Sequence, residues 1–210
     1  MKRLSTFIIL LLCCEISYTL EEGQVGFTAS VPYGKGSIQM RFLMDKDWGW
    51  GCGTGSQEYN CPCIDANAKG EFIIPDSIIT PNGEMVSINW ISRGSFQSCP
   101  GLTKIHIPNT IKNISDLSFA GCSSLREITL PKDLVCIYPQ AFIGCISLRR
   151  VRFLSIMPPR SYYNDTFDEA TNATATLVIP AETAEYYLSN PLTHRFRYHA
   201  EILPVSREAK

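Results

Sequence analysis

Phe96, Phe119 and Phe142 stand 23 residues apart, and the residues around them keep the same interval. Cys99, Cys122 and Cys145 repeat at that spacing, as do Leu102, Leu125 and Leu148. Four more apolar rows share the register: Ile105, Ile128 and Val151; Ile107, Leu130 and Phe153; Ile88, Ile111 and Leu134; Ile91, Ile114 and Ile137. A unit this short cannot bury its own apolar face. Stacked units align each row into a ladder, and the ladders together form a continuous core. The architecture expected is therefore a solenoid.

Within one unit, the stretch from Leu102 to Ile107 alternates at its end as a strand with one buried face should. Its copies, Leu125 to Leu130 and Leu148 to Phe153, are expected beside it in a parallel sheet. A second extended piece runs from Ile111 to Ile114 and recurs from Leu134 to Ile137. Between the two, each phenylalanine opens a tight segment that closes in Cys and Leu, read as a short helical turn. Upstream, Phe72-Ile73-Ile74-Pro75 reads as the strand end of an earlier unit, separated from Ile88 by an insertion with the turn signal Pro81-Asn82-Gly83. Downstream, Phe167 opens an irregular fourth unit ending at Leu177-Val178-Ile179-Pro180. Ala181 to Leu188 reads as a short helix and Glu201 to Pro204 as a final strand, together closing the open sheet edge. Gln24 to Ala68 does not repeat.

Residues 1–19 read as a secretory signal: Lys2 and Arg3, then a short apolar run from Phe7 to Cys14. Cleavage near Ser17 or Thr19 and lipid attachment at Cys13 or Cys14 both stand open. The organisation expected is a signal over 1–19, a small N-terminal cap or β domain over 20–70, the repeats over 71–157, and an irregular last repeat with a C-terminal cap over 158–210. A formal net charge of −1 gives no global field toward nucleic acid or an anionic membrane.

The run Ile91-Ser-Arg-Gly-Ser-Phe96-Gln-Ser-Cys99-Pro-Gly-Leu102-Thr-Lys-Ile105-His-Ile107-Pro108 resembles the BspA-like leucine-rich-repeat family. So do Phe119-Ala-Gly-Cys122-Ser-Ser-Leu125 and Ala141-Phe142-Ile-Gly-Cys145. The family pattern often has Ala before the phenylalanine, where this chain has Ser95 and Ser118, and Pro where it has Leu154. The resemblance spans about Glu71 to Pro204. It implies a leucine-rich-repeat solenoid and an exported bacterial protein of Bacteroides type, secreted or at the cell surface. It further implies adhesion or protein–protein binding and no catalytic residues; a few eukaryotic parasites carry similar repeats.

Four groups of residues invite a chemical reading. Cys99, Cys122 and Cys145 recur one layer apart, which suits small buried hydrophobes better than a metal site. Cys52, Cys61 and Cys63 lack zinc spacing, and one disulfide among them is expected to staple a glycine-rich loop. Trp48 and Trp50, flanked by glycines, would stack on a sugar ring or a partner side chain if exposed, or else form the core of the cap. Finally, the strand face pointing away from the core carries Lys104, His106, Arg126, Glu127, Arg149, Arg150 and Arg152. Stacking sets Lys104, Glu127 and Arg150 in one row and His106, Thr129 and Arg152 in another. A solenoid presents such a face for binding, and its basic end suits an acidic protein patch or an acidic glycan.

His106, His194 and His199 lie in no sequence constellation with a nucleophile, and no phosphate-binding loop or nucleophile elbow occurs. No enzyme activity, metal or cofactor is expected. The expectation is an exported binding protein with a protein or acidic-glycan partner at a cell surface. It would touch a membrane only through a lipid anchor. A glycan-binding accessory module using Trp48 and Trp50, or a purely structural envelope component, are the competing readings. Asn113, Asn164 and Asn172 begin N-glycosylation sequons, expected to be empty in a bacterial protein.

Overall fold

The computed structural model describes residues 25–45, 47, 49–53, 62–161 and 165–202. The signal segment with Cys13 and Cys14, and also Trp48, Cys61 and Asn164, lie outside the described residues. Thirteen strands and two short helices are present among those described.

One sheet starts with an antiparallel meander: β1 (Val25–Tyr33), β2 (Gly36–Asp45) and β3 (Gly49–Cys52). From β3 onward its order continues in parallel through β6 (Met85–Ile91), β8 (Asn113–Ile114) and β10 (Cys136–Ile137). The insertion with the Pro81-Asn82-Gly83 signal is a hairpin in which β5 (Ser77–Ile79) pairs antiparallel with the start of β6.

The second sheet is parallel throughout. Its order is β13 (Tyr198–Ile202), β12 (Thr176–Pro180), β11 (Arg150–Phe153), β9 (Glu127–Leu130), β7 (Leu102–His106) and β4 (Gly70–Ile73). Ile105 pairs with Ile128, and Ile128 with Val151, so like residues of successive units are neighbours. β9 and β11 both alternate exposed and buried along their length. The final strand begins at Tyr198, ahead of the Glu201 expected.

The core is one apolar cluster shared by both sheets. Through it runs a column of rings. Phe96 and Phe119 stack with centroids 5.2 Å apart, Phe119 and Phe142 at 5.0 Å, and Phe142 and Phe167 at 5.1 Å. Cys99, Cys122 and Cys145 form the neighbouring column, fully buried. The Cys122 and Cys145 thiols point at carbonyl oxygens of the preceding unit, Phe96 at 3.1 Å and Phe119 at 3.2 Å.

The segment from phenylalanine to leucine is a series of turns and not an α-helix. Left-handed residues at two positions per unit, one just before the phenylalanine and one inside the segment, accompany these turns. Gly94, Leu117 and Gln140 occupy one left-handed position (φ 63°, 57° and 57°), and Ser98, Gly121 and Gly144 the other (φ 55°, 74° and 76°). Left-handed residues interrupt a right-handed helix. The freed amides instead reach the next unit: those of Gly94, Phe96 and Ser98 donate to the carbonyls of Asp116, Ser118 and Ala120 at 3.2, 2.7 and 2.8 Å. The turns thus form a third hydrogen-bonded ladder beside the two sheets.

The array closes with elements that depart from the repeat. Phe167 bridges to Phe142 and is followed by α1 (Glu169–Thr174), N-capped by Asp168. After β12 come a 3-10 turn (Ala181–Thr183) and α2 (Ala184–Leu188). α2 is anchored by buried Tyr187, whose hydroxyl donates to the Ser155 carbonyl at 2.8 Å.

Candidate functional site

The outer face of the parallel sheet gathers most of the charged residues singled out in the sequence. Strand register places Glu71, Lys104, Glu127, Arg150, Thr176 and Tyr198 in one row, and Ile73, His106, Thr129, Arg152, Val178 and Ala200 in the next. In the first row charge alternates. Lys104 Nζ lies 3.6 Å from a carboxylate oxygen of Glu71 and 3.6 Å from one of Glu127. His106 also bonds to Glu71. That hydrogen bond, helped by the charge of Lys104, holds the Glu71 carboxyl below its ordinary range. The N-terminal half of the face is therefore internally neutralised, a compensation by Glu71 that the sequence reading left out.

The other half is not neutralised. The row neighbours of Arg152 are Thr129 and Val178, and among the described residues no ion pair reaches it. Arg150 neighbours Glu127, whose carboxylate is engaged by Lys104. Both guanidinium groups line a groove of about 330 Å³ across the strands, together with Lys104, His106, Glu127 and Thr129. A second groove of about 790 Å³, over the strand starts, carries Arg126 and Arg149 beside Lys104, Glu127 and Arg150. Arg126 and Arg149 precede their strands and stand at this entrance, off the two rows. Arg149 is tied to its own turn, donating to the carbonyls of Ile146 and Leu148 at 3.0 Å each.

Of the two tryptophans singled out, Trp50 is among the described residues. Trp50 is half-buried, its ring edge-on to Phe27 with centroids 5.4 Å apart. Trp90, passed over in the sequence, is buried on β6 and donates from its indole N–H to the Gly49 carbonyl at 2.9 Å. A Cβ at Gly51 would come within 2.6 Å of that indole, which is why the strand facing it has glycine there. Gly49, on the other side of Trp50, adopts φ 76°.

Cys52 and Cys63 are buried neighbouring thiols, and the Cys52 thiol lies 3.8 Å from the Trp90 carbonyl. No group of His, Cys, Asp and Glu among the described residues has the arrangement to hold a metal ion. His194 Nδ1 faces the carbonyls of Asn190 and Pro191 at 3.2 and 3.1 Å, and His199 lies on β13. Asn113 is on β8, and Asn172 is buried at the end of the array. No described helix is long and apolar enough to cross a membrane.

The family described as BspA type leucine rich repeat region matches residues 87–186 in six copies, and that stretch of the chain belongs to it. No curated protein sequence matches the chain. Among solved structures, a leucine rich cell surface protein from Faecalibacterium prausnitzii is similar at 20% identity and TM-score 0.48, over 83% of this chain and 43% of that one. A leucine-rich repeat protein from Bacteroides capillosus is similar at 19% identity and TM-score 0.38, over 59% of this chain and 97% of that one. The pneumococcal vaccine antigen PcpA is similar at 18% identity and TM-score 0.38, over 71% of this chain and 40% of that one. The chain thus spans less than half the length of the first and third.

Proposed function

We propose that the chain is a non-catalytic, exported binding protein that engages an acidic protein surface through the outer face of its parallel sheet. The leucine-rich-repeat family supports a protein-binding or adhesive role. The observation that carries the choice of face and partner is the uncompensated pair Arg150 and Arg152, set beside a half of the same face whose charges pair internally. A partner carboxylate would gain bidentate contacts from either guanidinium without breaking an existing ion pair. Lys104 and His106, already held by Glu71, would give less. Arg149 would hold the groove wall more than the ligand.

The test is binding of the mature protein to a panel of matrix proteins and glycans, with salt raised from about 0.05 M to about 0.5 M. A protein ligand whose affinity falls with salt, and is abolished by Arg150→Glu with Arg152→Glu, is the expected result. Removing the carboxylate beside Arg150 by Glu127→Gln should strengthen the same binding. A salt-sensitive glycan ligand would replace the protein partner with a sulfated or carboxylated glycan. Salt-insensitive sugar binding lost in Trp50→Ala would move the site to the N-terminal strands. Binding unchanged by the double arginine substitution would sink the assignment of the face.

A further inference from the structure

The N-terminal strands hold two cysteines at positions that the repeats reserve for large apolar side chains. In the repeats, the amide of Phe96 donates to the Ser118 carbonyl, that of Phe119 to Ala141 and that of Phe142 to Thr166. The amide of Cys63 donates to the Ser95 carbonyl at 2.6 Å, so Cys63 stands in the phenylalanine row, one layer before Phe96. Cys52 pairs with Ile91, which pairs with Ile114, so Cys52 stands in the isoleucine row of the same layer. Phe72, which stands in the Ile105 row, places its ring 5.6 Å from that of Phe96 on the same side.

Both cysteine backbones are fixed by shared neighbours. The Ser95 carbonyl accepts from Cys63 while the Ser95 hydroxyl donates to the Cys52 carbonyl at 2.7 Å. Arg41 N–H donates to the Cys63 carbonyl at 2.8 Å, and its own carbonyl accepts from Gly53, next to Cys52, at 3.1 Å. The outcome for the sulfur atoms differs from that in the repeat column. Cys122 and Cys145 point their thiols at carbonyl oxygens of the preceding unit; the Cys52 thiol lies 3.8 Å from the Trp90 carbonyl, and Cys63 has Cys52 as its side-chain neighbour.

We propose that Cys52 and Cys63 are joined by a disulfide when the chain folds in an oxidising compartment. The step is thiol–disulfide exchange with a small or protein-borne disulfide oxidant, glutathione disulfide being the simplest. Two S–H bonds are lost and one S–S bond forms. Two protons leave, and two electrons reduce the oxidant's disulfide to two thiols. Burial holds the Cys63 thiol protonated in the folded chain, so exchange belongs to the folding step, before the strands close over it. The bond closes the loop between β3 and Cys63 and pins the N-terminal strands against the first full repeat.

The test is refolding of the whole chain in a glutathione redox buffer, alkylation of free thiols, and digestion after acidic residues without reduction. Glu58 is the one acidic residue between Cys52 and Cys63, so cleavage there separates them unless they are bridged. The expected result is joined fragments in the wild type and in Cys61→Ser, and separate alkylated fragments in Cys63→Ala. Reduction should lower the melting temperature of the first two by several degrees and leave Cys63→Ala unmoved. Full alkylation of Cys52 and Cys63 in Cys61→Ser, or a bridge running instead to Cys61 or Cys99, would overturn the proposal. So would an equal drop on reduction in Cys63→Ala.

Discussion

The hydroxyl of Ser118 lies 3.1 Å from the carbonyl oxygen of Ser92, one repeat upstream. Ser118 is fully buried, and its single hydroxyl hydrogen also faces the carbonyl of Ser115 in its own turn. Ser95 makes the corresponding contacts to Cys52 and Ser92 at 2.7 and 2.8 Å. At Ala141, the third position of this row, no hydroxyl is present. The site thus accepts alanine sterically, and the Ser92 carbonyl keeps a second donor in the Ser95 amide. Ser118→Ala is expected to cost about 1 kcal/mol, the net worth of one neutral hydrogen bond. Urea unfolding of the two proteins checks this; a cost above about 3 kcal/mol would mean that a buried acceptor had been orphaned.

Phe119, like Phe142, is stacked on both sides, at 5.2 Å to Phe96 and 5.0 Å to Phe142. Phe119→Ala should destabilise by about 3–5 kcal/mol, through lost transfer energy and the cavity left behind. Phe119→Leu should cost less because it refills part of that space. Thermal or urea unfolding measures both, and a similar cost for the two would show that the stacked ring geometry itself dominates.

Gly144 adopts φ 76°, and a Cβ there would lie 3.3 Å from the Gly121 backbone. Gly144→Ala should therefore cost about 1–2 kcal/mol from the left-handed conformation, with crowding added. Ser98, at the same place in the first unit, has φ 55° and shows that the penalty is bearable. A stability increase in Gly144→Ala would contradict this account.

Burial pushes the Cys145 thiol up to about 12. The folded state therefore holds this proton more tightly than the unfolded chain, whose thiol titrates near 8.5. The resulting stability is fully present below about pH 8 and is lost as pH rises toward 12. Melting temperature should fall in that window, and Cys145→Ala should remove part of the slope. Alkylation at pH 8 should leave Cys145 untouched until the protein unfolds. A melting-temperature difference between wild type and Cys145→Ala that stays constant with pH would count against the linkage.

The repeat rows were legible because parallel strands in one register put like side chains side by side, so Ile105, Ile128 and Val151 announce their own neighbours. The rows of the outer face follow from the same register. What could not be read was anything resting on contacts outside the repeat. Glu71 pairs with Lys104 and bonds to His106 from β4, across an insertion that hides its register. Cys63 stands where the repeats have a phenylalanine, a substitution visible only in the hydrogen bonds of Ser95. The segment after each phenylalanine resisted a helix because Ser98, Gly121 and Gly144 sit left-handed, a conformation that glycine marks in the sequence at two of the three and serine hides at the first. Of the glycines that flank Trp50, Gly51 admits the ring of Trp90 and Gly49 takes a left-handed conformation.

In the repeat array the bonds of both parallel sheets run along the direction in which units are added. A pull along that axis loads the interfaces between units in series, so the weakest one sets the force that the whole array withstands. In one sheet the contribution thins to the two-residue strands β8 and β10. Tension at the ends would be expected to peel units away one after another, with the turn ladder and the stacked rings supplying the resistance that those short strands lack.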